Sequence, residues 1–227
     1  MVFPIVSRMF ASRAIPQIHR LLGLALLLTL AGGARGATPG VTVEQSPPQI
    51  VRRTYDALHP PEEMLRKLTL PEAGLCQTDF GCKVLAGTDR PGFGLQPTVT
   101  SVRLLTHLTI TIWTVIQANP KLLAHEEGHR AIWEEYYRRA QPVALEIASR
   151  ALGTRLAFPL NNGGAAVPDA REALQGKLAA EFLRATAERC VVAQHNFDVI
   201  TLHGGNQIPE AAAAAQAMAE EQARPRG

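Results

Sequence analysis

Between Val99 and Ile116 the chain alternates: Leu108, Ile110, Ile112 and Ile116 share one parity, His107, Thr109, Thr111 and Trp113 the other, and β-branched residues dominate. A two-residue period of this kind predicts one long strand, or a hairpin, with one buried face. The period then changes. Asn119 followed by Pro120 is a cap and first-turn signal, so a helix is predicted from about Pro120 to Ala140. Pro142 kinks or ends it, and Val143 to Leu152 continues as a second helical piece until Gly153. Beyond a loop at Asn161–Gly164, Pro168 to about His195 is helical again, with Leu174, Leu178, Phe182, Ala185 and Arg189 near one stripe. Upstream, Pro60–Leu68 suits a short helix, and Thr69–Pro97, rich in Gly, Pro and Asp, reads as loop or short hairpin. Glu210–Ala223 is alanine-rich and helix-capable, with little apolar bulk to anchor it.

Residues 1–36 have another character. Arg8, Arg13 and Arg20 precede an apolar run from Leu21 to Leu30, and Ala34-Arg35-Gly36 supplies small residues where a signal peptidase needs them. This predicts a signal peptide cut before Ala37 and an exported protein, periplasmic or secreted. The run is shorter than the ~20 residues of a comfortable membrane span, so no stable membrane insertion is expected after cleavage. Residues 37–50, with Pro39, Gly40, Pro47 and Pro48, read as a flexible lead-in, 51–207 as one domain, and 208–227 as an alanine-rich C-terminal tail.

Composition adds limits. A chain of 227 residues, 46% hydrophobic and 19% charged, is an ordinary globular protein with room for one full domain. The formal net charge of +3 is small and scattered, so no nucleic-acid partner is implied. Export brings an oxidising compartment. Cys76 and Cys82, five turn-forming residues apart, are therefore expected to close a small disulfide loop, while Cys190, on an apolar helix face, is expected as a buried free thiol.

The chemistry concentrates in His125-Glu126-Glu127-Gly128-His129, inside the predicted helix. A spacing of four puts both imidazoles on one face, one turn apart, as two ligands of a tetrahedral zinc ion require. Glu126 then points beside the metal as a general base for a zinc-activated water, with the metal polarising a scissile carbonyl. A third ligand is needed. Ile132 and Glu135 stand where the extended metzincin motif has Gly and His, which excludes that arrangement. The candidates are distant: Glu181 and Glu188 in the later helix, or Asp198 and His203 just after it.

The second of those stretches carries a resemblance. His-Glu-x-Gly-His followed some seventy residues later by Asp-x-x-Thr-x-His-Gly and a nearby Gln resembles an uncharacterised bacterial family of predicted secreted zinc-dependent proteases. The matching residues are His125, Glu126, Gly128, His129, Asp198, Thr201, His203, Gly204 and Gln207, and the likeness spans Thr54 to Gln207. This chain has Phe197 where tyrosine is expected, and Cys76 and Cys82 in a variable region. The resemblance implies a protease label and no substrate preference.

His203 is preferred as third ligand, because an imidazole in a loop next to Gly204 can approach a metal closely, with Asp198 orienting one of the histidines. The reverse, Asp198 as ligand and His203 as a transition-state donor, resembles the aspzincin pattern. His195, His107 and His59 are read as a helix-end residue, a strand-surface residue and a loop residue. The expected architecture is α+β and zincin-like: a small, mostly antiparallel sheet packed on an active-site helix and a second long helix. The expected function is that of an exported zinc metallopeptidase acting on a peptide or protein substrate, aligned along the edge of the 99–116 strand. Two alternatives stand beside it: a non-catalytic zinc-stabilised binding protein of the cell envelope, and a zinc amidase on a non-peptide substrate.

Overall fold

The alternation after Val99 is realised as a single strand, and the other elements are arranged along it. The computed structural model describes residues 39–62, 73–89, 96–157 and 166–225. The signal peptide expected at 1–36, nearly all of the helix expected at Pro60–Leu68 and the loop expected at Asn161–Gly164 lie outside them. Among the described residues, strands β1 (Val41–Gln45), β2 (Gln49–Tyr55), β3 (Gly74–Thr88) and β4 (Val99–Val115) precede helices α1 (Pro120–Arg138), α2 (Ala140–Ala151), α3 (Ala166–Ala185), α4 (Ala187–Thr201) and α5 (Glu210–Gln222).

Strand β3 runs antiparallel to β4 from Gly74 opposite Thr114 to Gly87 opposite Ser101. On the other edge of β4, β1 lies parallel opposite Val102–Thr106 and β2 lies parallel opposite Thr109–Val115. Two of the three pairings are thus parallel, which corrects the expected mostly antiparallel sheet. Alternation assigns faces to a strand but is silent about the direction of its neighbours. The flexible lead-in expected at 37–50 is corrected over its described residues: Val41 and Val43, an alternating pair, pack into the core as part of β1. Pro47 and Pro48 instead mark a break between two ladders, where residues 46–48 face only 107 and 108. Such a bulge is expected where two successive residues have no N–H to give. The loop expected over Thr69–Pro97 is largely strand β3.

Even-numbered side chains of β4 from Val102 to Thr114 are buried, while Arg103 and His107 stay exposed. At about 3.3 Å per residue β4 is some 55 Å long, long enough to carry two clusters end to end. Val99, Val102 and Leu104 pack with α2 and α3, through Ala144, Ile147, Ala148 and Phe182. Leu108, Ile110 and Ile112 pack with Ile132, Trp133 and Tyr137 of α1, Cys190, Ala193 and Phe197 of α4, and Ala213, Ala214 and Ala217 of α5. The fully buried Leu108, Ile110, Ile132 and Phe197 of this second cluster contribute roughly 1.5–3 kcal/mol each. The alanine-rich segment is therefore core and not tail; its small side chains let α5 lie close to its neighbours. Glu221 near its end accepts from Tyr136 Oη and Arg189 Nε, tying α5 to α1 and α4.

Helix boundaries follow the residues that cannot continue a helix. Asn119 Oδ1 accepts from Leu122 N at 2.8 Å to start α1. The helix ends at Arg138, whose carbonyl would meet the ring of Pro142 and find no N–H there. The single helix expected over Pro168–His195 is two, α3 and α4, separated by buried Thr186 at φ −127° and ψ −78°. Its hydroxyl donates to Phe182 O at 2.7 Å. No helix among the described residues is long and apolar enough to cross a membrane.

Cys76 and Cys82 are both free thiols on β3, which corrects the expected disulfide. Six residues of extended strand separate their Cα atoms by about 20 Å, against a limit of ~7 Å for a disulfide. Reduction is expected to leave the mass of the folded full chain unchanged. Burial pushes the Cys82 thiol up to about 11 and holds Cys76 and Cys190 well above the usual thiol range. Alkylation at mildly alkaline pH is accordingly expected to be at least ~10-fold slower in the folded than in the unfolded chain, since only the thiolate reacts. A fast-reacting thiol, or a mass gain on reduction, would contradict the β3 register.

Candidate metal centre

Helix α1 turns His125, Glu126, Gly128, Ile132, Trp133 and Tyr137 towards the core. On this face the two imidazoles approach edge to face, with ring centroids 4.7 Å apart and Nε2 atoms 3.2 Å apart. The third group comes from α4. Asp198 Oδ1 lies 3.0 Å from His129 Nε2 and 3.4 Å from His125 Nε2. Together His125, His129 and Asp198 form a group that could hold a metal ion.

Phe197 sets the orientation of both rings. It stacks on His125 at 5.0 Å with an interplanar angle of 15°, and meets His129 edge-on at 4.9 Å. That contact needs Gly128: a Cβ there would fall 2.4 Å from Phe197 Cζ. Gly204, in the left-handed region at φ +78°, presents its backbone to His125 in turn, where a Cβ would sit 3.2 Å from Cγ. The glycines of both sequence motifs thus serve one packing problem, the close approach of α1 and the end of α4. Alanine at 128 would gain about 1 kcal/mol in helix propensity but cost about 1–3 kcal/mol by overpacking Phe197. Gly128→Ala is therefore expected to lower stability in urea unfolding and to weaken metal uptake; a stabilised variant would mean that Phe197 does not occupy this place.

Gln194, one turn before Asp198, holds His129 at two points. Its Nε2 donates to His129 O at 2.9 Å, which directs its Oε1 to accept from His129 Nδ1. With a proton held on Nδ1, the Nε2 of His129 faces Asp198, donating to it as long as the ring is an imidazolium and offering a lone pair once that second proton leaves. Burial pushes the Asp198 carboxyl up, but hydrogen bonds from His125 and His129 outweigh it and hold the group well below the usual carboxylate range. For His129, burial lowers the imidazole, and Asp198 more than reverses that.

Glu126 is only 4% exposed. Its carboxyl lies against Gly74, the first residue of β3, where a Cβ would come 2.3 Å from Oε1. Here a cavity of about 610 Å³ opens, lined by Leu75, Leu122, Trp133 and Val191 as well as the site residues. Cys76 and His203 also line it.

The expectation that His203 supplies the third ligand atom is not what the chain assembles. Its side chain is 77% exposed, with Nδ1 3.8 Å from Asp198 Oδ1, while Asp198 is the residue grouped with the two imidazoles. The physical reason is the length of α4. It runs through Thr201, so Asp198 is a helical residue facing inwards, and His203 falls in a left-handed turn with Leu202, at φ 54° and 52°. Glu181 pairs with Arg150 on the surface and Glu188 is exposed, so neither joins the site. His107 faces Asp79 at 3.3 Å and His59 faces Asp56 at 2.8 Å, both exposed. Phe197, Gln194 and Gly74 were missed from sequence. The first two sit one and four residues before Asp198, a spacing that becomes informative only once Asp198 is placed on a helix. Compared with known proteins, the chain matches no protein-family model, no curated protein and no solved structure.

Proposed function

We propose that this chain is an exported, zincin-like, zinc-dependent hydrolase, and that its substrate is a peptide or protein. The observation that carries the reading is the convergence of two imidazole nitrogens and one carboxylate oxygen at 3.0–3.4 Å, directly beside a buried glutamate. Acceptor atoms so close repel one another unless protons or a cation stand among them. Zinc bonds of about 2.0–2.1 Å in a tetrahedron separate ligand atoms by ~3.3–3.4 Å, so the donor set fits that ion. Three protein ligands also leave one coordination position open, which favours a catalytic over a structural site; exposed His203 does not close it.

A zinc ion held there would supply Lewis acidity and bring the pKa of a bound water to about 7. The chain supplies the rest. Glu126, backed by Gly74, accepts a proton from water at the cavity wall and returns it to the leaving amine. His203, at the rim, is within reach to donate a hydrogen bond to an oxygen that gains charge in the transition state. The substrate edge differs from the one expected at 99–116, because β4 has strands on both sides. The outer edge of β3 has no strand partner among the described residues, and its Gly74–Cys76 stretch lines the cavity. An extended peptide would pair there through its backbone, with apolar side chains favoured by Leu75, Leu122 and Val191.

The family resemblance and the leader at 1–36 support the protease and export parts of this reading. Metal analysis of the purified full chain tests it: about one zinc per chain is expected in the parent protein and none in His125→Ala. A peptide panel run beside non-peptide amides reads the substrate class. A parent chain that stays metal-free in the presence of micromolar zinc would overturn the function.

A further inference from the structure

We infer that Glu210, the first residue of the C-terminal helix, is a positioning residue for His125 and completes the metal centre from outside its ligand set. The inference rests on the metal-site reading above. Each imidazole of the site has an inner nitrogen, Nε2, turned to Asp198, and an outer nitrogen, Nδ1, that needs an acceptor if the inner lone pair is to remain available. For His129 that acceptor is Gln194. The Nδ1 of His125 is buried and has no hydrogen-bond partner among the described residues. Glu210 Oε2 lies 3.7 Å from it, on a residue only 8% exposed.

The surroundings of Glu210 suit that role. Lys121, in the first turn of α1, places Nζ 2.7 Å from Glu210 Oε1, and the same ammonium donates to Ile208 O at 2.8 Å. One cation therefore pairs with the carboxylate in a buried place and fixes the start of α5 against the start of α1. A hydrogen bond from His125 Nδ1 to Glu210 Oε2 needs this 3.7 Å approach to shorten by about 0.7 Å. The carboxylate then holds the proton on that nitrogen, leaves Nε2 for the metal and makes the imidazole a stronger donor. The alanine-rich helix α5, Glu210–Gln222, is in this way a part of the site.

The test uses the full chain. Zinc affinity is measured by competition with a chromophoric chelator for the parent, Glu210→Gln, Glu210→Ala and Glu210→Asp, with circular dichroism as the check on folding. Long-range nitrogen–proton NMR of the zinc-loaded parent reads which nitrogen of His125 carries the proton. The expected results are a proton on Nδ1, a loss of affinity of about 10-fold for Glu210→Gln and up to about 100-fold for Glu210→Ala, and partial recovery in Glu210→Asp. If Glu210→Ala does not fold, the isosteric Gln variant and the parent spectrum decide. Affinities of both Gln and Ala variants within about twofold of the parent, or a His125 that binds zinc through Nδ1, would overturn the inference and leave the metal site standing. A parent that takes up no zinc would instead remove the metal-site reading itself, and this inference with it.

Discussion

Glu126→Gln is expected to lower the proposed hydrolysis by about 10²–10⁴-fold while uptake of one zinc ion is kept. Two features make this the sharpest chemical test. Glutamine has the size of glutamate, so the tight contact with Gly74 and the packing of α1 are kept. Glu126 is also absent from the group His125, His129 and Asp198, so its charge is not needed to hold the metal. The loss would then belong to proton transfer alone. The measurement is kcat/KM on the best peptide of a panel together with zinc content of the same sample. Full activity with zinc in place would remove Glu126 from the mechanism; loss of both would show that its carboxylate is structural or a ligand.

Asp198→Ala is expected to weaken zinc binding by at least about 100-fold, whereas His203→Ala is expected to keep zinc within about threefold and lose turnover. The contrast follows from position. Asp198 Oδ1 lies 3.0 and 3.4 Å from the two Nε2 atoms, and the hydrogen bonds it accepts from the histidines hold its carboxyl below the usual range despite burial. His203 has an exposed side chain at the cavity rim. Chelator competition on both variants, with hydrolysis assayed at saturating zinc, separates a ligand from a transition-state donor. The opposite outcome, zinc lost from His203→Ala and kept by Asp198→Ala, would return His203 to the metal and require the turn after α4 to fold inwards.

Both experiments turn on where α4 stops, and here local signals misled. The helix expected from Pro168 ends at about His195, which places Asp198 after it. In the folded chain Asn196 is buried and its amide donates to Ala217 O of α5 at 3.4 Å, so the helix passes through it. Burial of Phe197 and Thr201 carries the helix on to Thr201, whose hydroxyl donates to Phe197 O at 2.8 Å. Only then does the chain turn left-handed, with His203 N donating to Asp198 O at 2.9 Å and Gly204 against His125. A shift of a few residues in one boundary thus decides whether the aspartate or the histidine stands beside the two imidazoles.

What the sequence determined by itself is what repeats along the backbone. The two-residue period of β4 and the four-residue spacing of His125 and His129 each assign side chains to a face, because strand and helix geometry do so at every position. Asn119, Pro120 and Pro142 mark helix ends through atoms they have or lack. Contact between faces has no such period. The parallel direction of β1 and β2, the free thiols of β3, the placing of Asp198 and not His203 beside the two imidazoles, and the places of Gln194, Phe197 and Glu210 were decided by tertiary packing. Each depends on burial between segments far apart in the chain, where the deciding energy is the fit of one surface to another.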